Sequence, residues 1–168
     1  MKDSEVSVDG ENRDCRIPDV SSTTDSPTIV SIGYEQREIS ELIDLLAANG
    51  VSMLVDVRLN PISRKKGFSK NALATALSEA GIEYRHEREL GNPKENRDPF
   101  RRGLESARQS YRRHLQNGAA SVYERLVDLA STSRIALLCY ERDHDQCHRS
   151  CILDAAQVDR PAMNVLHL

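Results

Sequence analysis

The sequence predicts an α/β protein with a three-layer, Rossmann-like fold, in which helices cover both faces of a mostly parallel sheet of about five strands. Two observations support this class. Short apolar, β-branched runs alternate along the chain with segments whose apolar residues recur at helical spacing. The run at 52–57 is hydrophobic almost throughout, which is typical of a strand buried on both faces of a parallel sheet.

The predicted elements follow one another in a regular order. Strands are expected at 28–33, 52–57, 82–84, 134–140 and 164–168. Helices are expected at 39–50, 69–81, 101–116, 120–131 and 147–157. Ser69 is a suitable cap for the second helix. The polar stretch 86–99 is expected to be a long loop without regular structure, and such loops are often functional.

The chain divides into a leader and one domain. Residues 1–27 are rich in Ser, Thr and Asp, lack a hydrophobic period, and carry three basic against seven acidic side chains. They are predicted to be a disordered acidic leader, and residues 28–168 a single α/β domain. Because the whole chain has a net charge of −3, the domain is left near neutrality at +1. This charge does not indicate a domain that binds nucleic acid over a large basic surface. Binding of an anion at a local site stays open.

The composition also indicates the cellular location of the protein and the redox state of its cysteines. No apolar run approaches the roughly 20 residues needed to cross a bilayer, and the N-terminus does not resemble a secretory signal. We expect a soluble, cytoplasmic protein with no membrane partner. The four cysteines are unevenly spread and are expected to be reduced. Trp is absent, so an aromatic platform for single-stranded nucleic acid is not evident.

Unusual polar residues follow the ends of the predicted strands. In open parallel sheets, ligands bind beyond the carboxyl ends of the strands. The candidate ligand-binding residues at this edge are Tyr34, Arg37, Arg58, Arg64, Lys70, Tyr84, His86, His148 and Arg149. The sequence therefore predicts a cation-rich pocket at one edge of the sheet.

The loop after the second strand gives the strongest functional signal. Arg58 and Arg64 offer planar guanidinium groups that match phosphate or carboxylate oxygens, and Lys70 adds a further positive charge. Ser69 begins a helix, whose free N–H groups favour the same anion. The alternative is a solvated basic loop in which Asp56 ties down Arg58 as a structural ion pair.

A cysteine-rich segment gives the second signal. Cys147 is expected near a helix N-terminus beside His148 and Arg149, an environment that favours the nucleophilic thiolate. A structural role for the thiol remains open. Zinc binding by Cys139, Cys147, His148 and Cys151 is disfavoured, because adjacent Cys147 and His148 on a helix would point apart and a Cys-x₂-Cys pair is lacking. No metal ligand is therefore predicted.

Asp56 and Glu141 are the candidate catalytic carboxylates, together with the Cys147 thiol. Both carboxylates lie at strand ends, where they could act as general acid and base or position a ribose hydroxyl. Alternatively, each neutralises a neighbouring arginine. Tyr34, Tyr84 and His86 are expected to line the same pocket.

Several of these clusters resemble the domain-of-unknown-function family numbered 488. They are IGYE at 32–35, LVDVR at 54–58, GFSK at 67–70, GIEY at 81–84, LLCYE at 137–141 and CHR at 147–149. The resemblance covers about residues 28–168. It implies a compact α/β fold and no established reaction.

The leading hypothesis is an enzyme or enzyme-like domain that binds a phosphate-bearing ligand, such as a nucleotide or a nucleic-acid end. Arg58, Arg64 and Arg149 would hold the anion, and the two carboxylates would do the acid–base or positioning work. One alternative is a non-catalytic nucleic-acid-binding module that uses the basic loop and the arginines at 97–113. Another is a thiol-dependent enzyme that uses Cys147. No cofactor or oligomeric state is predicted.

Overall fold

A computed structural model describes residues 27–168 of the chain, so the predicted leader lies outside the described residues except for Pro27. The strands are β1 (Thr28–Gly33), β2 (Met53–Asp56), β3 (Glu83–His86), β4 (Ile135–Cys139) and β5 (Asn164–His167). The helices are α1 (Ile39–Ala48), α2 (Lys70–Glu79), α3 (Lys94–Arg101), α4 (Glu105–Asn117), α5 (Ala120–Thr132) and α6 (Arg149–Asp159). A short 3₁₀ helix, Arg88–Leu90, precedes α3.

The five strands form one all-parallel sheet with the order β3-β2-β4-β1-β5. β4 lies in the centre and pairs with both β1 and β2, and all five of its residues are buried. In the register, Gly33 lies opposite Cys139, and Asp56 lies opposite Leu138. The carboxyl ends of β1, β2 and β4 therefore lie side by side, at the edge where the sequence predicts a pocket.

Helices cover both faces of this sheet because alternate side chains of each strand point to opposite sides. On one face, α1 and α2 pack against a core formed by Val30, Ile32, Leu42, Leu46, Leu54, Leu73, Leu77, Ala136 and Leu138. On the other, α3 to α6 pack against a core that includes Ile29, Val55, Phe100, Tyr111, Leu126, Ile135, Leu137 and Ile152. The predicted three-layer α/β fold with a parallel sheet is confirmed.

The stretch 86–99 is not the structureless loop that the sequence predicts. It contains the end of β3, the 3₁₀ helix and most of α3, which extends to Arg101 with Pro99 inside it. Tertiary contacts explain the difference. Phe100 is buried, and the Asn96 side chain donates hydrogen bonds to the Asn92 side chain and to the Ala107 carbonyl. Gly103, with φ of 72°, then separates α3 from α4, so that α4 begins at Glu105 rather than at 101.

Ser69 occupies the N-cap position of α2, as predicted, but its side chain makes no capping hydrogen bond. Gly33 has a stricter role at the end of β1. A Cβ atom at this position would lie 2.0 Å from the carbonyl oxygen of Glu141, so only glycine lets the segments after β1 and β4 approach each other this closely.

Within residues 27–168, no helix is both long enough and apolar enough to cross a membrane.

Candidate functional site

A cavity of about 500 Å³ lies at the carboxyl ends of β1, β2 and β4, within the size range of small-molecule sites. We call it the edge cavity. Its walls are Tyr34, Glu35, Gln36, Arg58, Leu59, Asn60, Ile62, Ser63, Arg64, Lys65, Asn92, Arg97, Arg101, Cys139, Tyr140, Glu141, Gln146 and His148. Five of these side chains are basic and two are acidic, so the lining carries an excess of positive charge although the chain as a whole is negative.

Asp56 and Arg58 form a buried ion pair at the base of this cavity. Asp56 is fully buried at the end of β2, and Arg58 is 6% exposed. Nε of Arg58 donates to Oδ1 of Asp56 at 2.8 Å, and Nη2 donates to Oδ2 at 2.5 Å. The backbone N–H of Arg58 also donates to Oδ1 at 3.1 Å. This geometry is bidentate, and it corresponds to the structural pairing that the sequence left open as the alternative.

Other segments complete the network around this pair. Nη1 of Arg58 donates to the Tyr34 hydroxyl at 3.1 Å and to the Phe68 carbonyl at 2.9 Å. The Tyr84 hydroxyl donates to Oδ2 of Asp56 at 2.8 Å. Burial lowers the pKa of Arg58, but the hydrogen bond and negative charge of Asp56 outweigh it, and the net pKa is raised. Burial and the charge of Asp56 also raise the pKa of Tyr84. These groups therefore hold the basic loop in place.

Two other arginines of the cavity wall, Arg64 and Arg97, are not held by a buried carboxylate. Arg64 is exposed and makes no hydrogen bond or ion pair with another residue of the described chain. Arg97 is held through Nε, which donates to the Asn92 carbonyl at 3.2 Å, and its two Nη groups bind no other described residue. Lys65 lies 4.0 Å from a carboxylate oxygen of Glu38 and sits over the Phe68 ring. Two guanidinium groups are thus available to a ligand.

Glu141 is the carboxylate on the cavity wall that follows β4. Its Oε1 accepts hydrogen bonds from Nε and Nη2 of Arg101, at 3.1 and 2.9 Å. Its Oε2 accepts from Sγ of Cys139 at 3.1 Å. The Glu141 side chain is 14% exposed, against 0% for Asp56. Of the two predicted carboxylates, Glu141 is therefore the one that a ligand in the cavity can reach.

Two cysteines and a histidine meet at the inner wall. Nδ1 of His148 lies 3.9 Å from Sγ of Cys139 and 3.8 Å from Sγ of Cys147. All three donor atoms lie within 4.8 Å of one another. The sequence argument that Cys147 and His148 point apart is wrong, because both precede α6, which begins at Arg149. In the turn, their side chains converge. Cys151, inside α6, is not part of this group.

The pKa values of the two cysteines are shifted in opposite directions. Burial raises the pKa of Cys147, but the neighbouring Cys139 thiol, His148 and Arg149 outweigh it, and the net pKa lies well below its usual value. The pKa of Cys139 is raised by the neighbouring Cys147 and by burial. Nε of Arg149 donates to Sγ of Cys147 at 3.2 Å. Cys147 is 1% exposed and does not line the cavity, whereas Cys139 does.

The structure brings only part of the predicted site to the cavity wall. Tyr34, Arg58, Arg64, Glu141 and His148 line it. The other predicted residues stand behind or away from the wall, and they are Arg37, Asp56, Lys70, Tyr84, His86, Cys147 and Arg149.

Three of the predicted residues that do not line the cavity have other positions or partners. Arg37 pairs with Glu41 at 3.1 Å, Lys70 is exposed on α2, and Nε2 of His86 lies 2.9 Å from the Arg58 carbonyl oxygen. Sequence reasoning did not select Lys65, Arg97 and Arg101 as site residues. The only signals for the two arginines were the basic run at 97–113 and the long polar stretch before it.

The basic run itself is largely engaged within the protein. Arg108 donates to the Ser150 hydroxyl at 3.0 Å and to the Asp145 carbonyl. Arg112 pairs with Glu105 at 3.0 Å and lies 3.9 Å from Asp154. Two of the three arginines of α4 are therefore engaged within the protein, and the third, Arg113, is exposed.

Together, the fold and the cavity define a three-layer α/β protein with a polar, cation-rich cavity at the carboxyl edge of a parallel sheet. The chain belongs to the family described as domain of unknown function DUF488, whose model matches residues 38–156. The family resemblance of the sequence clusters is thereby confirmed. Neither a search of curated proteins nor a search of solved structures gives a match.

Proposed function

We propose that this protein binds a phosphate-bearing small molecule in the edge cavity and acts on it as an enzyme or enzyme-like domain. The observation that carries this proposal is the pair of available guanidinium groups, on Arg64 and Arg97, at the wall of a cavity of about 500 Å³. Free guanidinium forks match the oxygens of a phosphate and bind them through charge-assisted hydrogen bonds.

The basic loop has a divided role in this proposal. Arg58 is occupied by Asp56, Tyr34 and the Phe68 carbonyl, and it therefore fixes the course of the loop. Arg64, further along the loop, is then presented to the ligand without competing for an internal carboxylate. Asp56 serves as the counterion of Arg58, which removes it from acid–base work.

A nucleotide fits the remaining lining better than inorganic phosphate does. Tyr140 is 43% exposed on the cavity wall, and its ring meets the Tyr34 ring edge-on at 5.4 Å. An exposed, buttressed aromatic ring offers a stacking surface for a base. Amide side chains of Asn60, Asn92 and Gln146 supply hydrogen-bonding groups of both kinds around it.

Glu141 is the residue to which we assign acid–base or hydroxyl-positioning work. Arg101 orients one of its oxygens, and the other faces the Cys139 thiol. A carboxylate held by a guanidinium has a fixed direction, as a group that contacts a substrate requires.

Isothermal titration calorimetry tests the proposal directly. The full chain, without added metal, is titrated with AMP, ATP, a sugar phosphate and a 5′-phosphorylated oligonucleotide. We expect one of these to bind, and Arg64→Ala or Arg97→Ala to weaken that binding about 10- to 150-fold, which corresponds to about 1.5–3 kcal/mol for a hydrogen bond to a charged group.

Arg125→Ala is the matched control, because Arg125 is an exposed arginine on α5 that makes no ion pair within the described chain and lies outside the cavity lining. The proposal fails if no phosphate compound binds, or if the cavity variants bind as the control does. Binding of the oligonucleotide alone would transfer the function to recognition of a nucleic-acid end.

A further inference from the structure

The group of two cysteines and one histidine has the composition of a metal-binding site. Cys139 ends β4, and Cys147 and His148 lie in the turn before α6, so two separate segments supply the donor atoms. All three residues are buried, with exposures between 1% and 6%. Their two sulfur atoms and Nδ1 lie within 4.8 Å of one another.

The hydrogen bond on the far side of the imidazole gives an independent indication. Nε2 of His148 lies 3.0 Å from the carbonyl oxygen of Val57, so this nitrogen carries the proton and donates it. In the neutral imidazole, Nδ1 then has a lone pair, and it faces the two sulfur atoms at 3.9 and 3.8 Å. Metal-ligating histidines almost always donate their other N–H in this way, and the donation fixes both tautomer and ring orientation.

The observed spacing is close to that of a tetrahedral zinc site. With Zn–S of about 2.3 Å and Zn–N of about 2.0–2.1 Å, tetrahedral geometry places sulfur and nitrogen about 3.6 Å apart. The two observed distances are 3.9 Å for Cys139 and 3.8 Å for Cys147. A contraction of a few tenths of an ångström therefore suffices between the imidazole nitrogen and each sulfur. The two sulfur atoms lie within 4.8 Å of each other and would close to about 3.8 Å around an ion.

Thiolate and imidazole donors select borderline-soft ions such as zinc over magnesium or calcium, which prefer oxygen. Nε of Arg149 donates to Sγ of Cys147 at 3.2 Å, which stabilises this sulfur as a thiolate. Cys139 and His148 also line the edge cavity. Three protein ligands with the fourth position open to a cavity is the arrangement of catalytic zinc sites.

We propose that Cys139, Cys147 and His148 bind one zinc ion, or a chemically similar divalent ion, at the inner wall of the edge cavity. The fourth coordination position faces the cavity and takes water. This site is independent of the proposed phosphate-bearing ligand, because none of its three ligands is a cation assigned to the phosphate.

Cobalt titration of the reduced, chelator-treated full chain tests the site without any other ligand. All proteins carry Cys15→Ala, so that the fourth cysteine of the sequence, outside the described residues, does not contribute. We expect one Co²⁺ per chain, with thiolate-to-cobalt charge-transfer absorption in the near ultraviolet and tetrahedral d–d bands in the visible. Zn²⁺ should displace the cobalt and abolish both signals.

Cys147→Ala and His148→Ala should each weaken zinc binding by about 100-fold or more, since changing an outer-shell partner alone already costs about 10- to 100-fold. Cys151→Ala is the matched control: it is an equally buried cysteine four residues along the chain and outside the group. Circular dichroism of the metal-free proteins shows whether each variant folds. Cys139→Ala provides a second ligand variant on a different segment.

The proposal is overturned if cobalt gives no thiolate band, or if folded Cys147→Ala and Cys139→Ala bind zinc as tightly as Cys151→Ala does. It is also overturned if mild oxidation links Cys139 to Cys147 in a protein that has no zinc affinity. That result would assign the pair to dithiol redox chemistry.

Discussion

Neutralising Asp56 should expose the energetic role of the buried pair. Asp56→Asn keeps the size of the side chain, so it removes the charge without opening a cavity. The guanidinium of Arg58, 6% exposed, then remains in the interior without a counterion. Leaving one partner of a buried pair uncompensated costs about 3–5 kcal/mol. Because domains have free energies of unfolding of about 5–15 kcal/mol, this loss is a large part of the total.

Urea unfolding, followed by circular dichroism, measures this cost as a shift in midpoint at constant slope. Glu83→Gln is the matched control, since Glu83 pairs with Arg85 at 3.3 Å on the surface, with exposures of 57% and 44%. An exposed pair contributes no more than about 1 kcal/mol. If Asp56→Asn costs no more than Glu83→Gln, the carboxylate of Asp56 is not the group that holds Arg58.

A double variant measures the interaction between Asp56 and Arg58 apart from the contacts that each makes with other residues. Arg58→Met combined with Asp56→Asn removes both charges, so its cost should be less than the sum of the two single costs. Additive costs would contradict the coupling that the bidentate geometry implies.

Two further predictions concern Gly33 and Tyr84. Gly33→Ala should lower the free energy of unfolding by at least about 1–3 kcal/mol in the same urea assay, because its Cβ would overlap the Glu141 carbonyl. An unchanged free energy of unfolding would show that the segments after β1 and β4 are not in contact. Burial and Asp56 raise the pKa of Tyr84. As pH rises, the Tyr84 hydroxyl therefore loses its proton in the unfolded chain before it does so in the folded protein. The free-energy cost of Tyr84→Phe should therefore shrink as pH rises above about 10, and a cost independent of pH would refute the hydrogen bond to Asp56.

The prediction from sequence was most accurate where local pattern and burial agree. β1 was predicted at its observed bounds, and β2 and β4 within one or two residues at each end, because their apolar runs are continuous. The strand ends also predicted where the cavity lies, since a parallel sheet brings all its carboxyl ends to one edge.

The prediction failed for α3 because its local signals oppose a helix. The segment Lys94–Arg101 is mostly charged and contains Pro99, and such a sequence has little helical preference of its own. The burial of Phe100 and the hydrogen bonds of Asn96 stabilise it, and both depend on partners from α4 and the core.

The sequence by itself determined the fold class, the direction of the strands and the edge at which polar residues gather, because these follow from hydrophobic period and chain order. Tertiary structure decided which of those residues are free. Arg58 and Arg64 are alike in the sequence, yet Tyr34 and the Phe68 carbonyl engage the first and leave the second exposed. Likewise, Cys147 and His148 meet Cys139 only because α6 begins after them. Pairing energies depend on distances between segments far apart in the chain, and local sequence does not encode those distances.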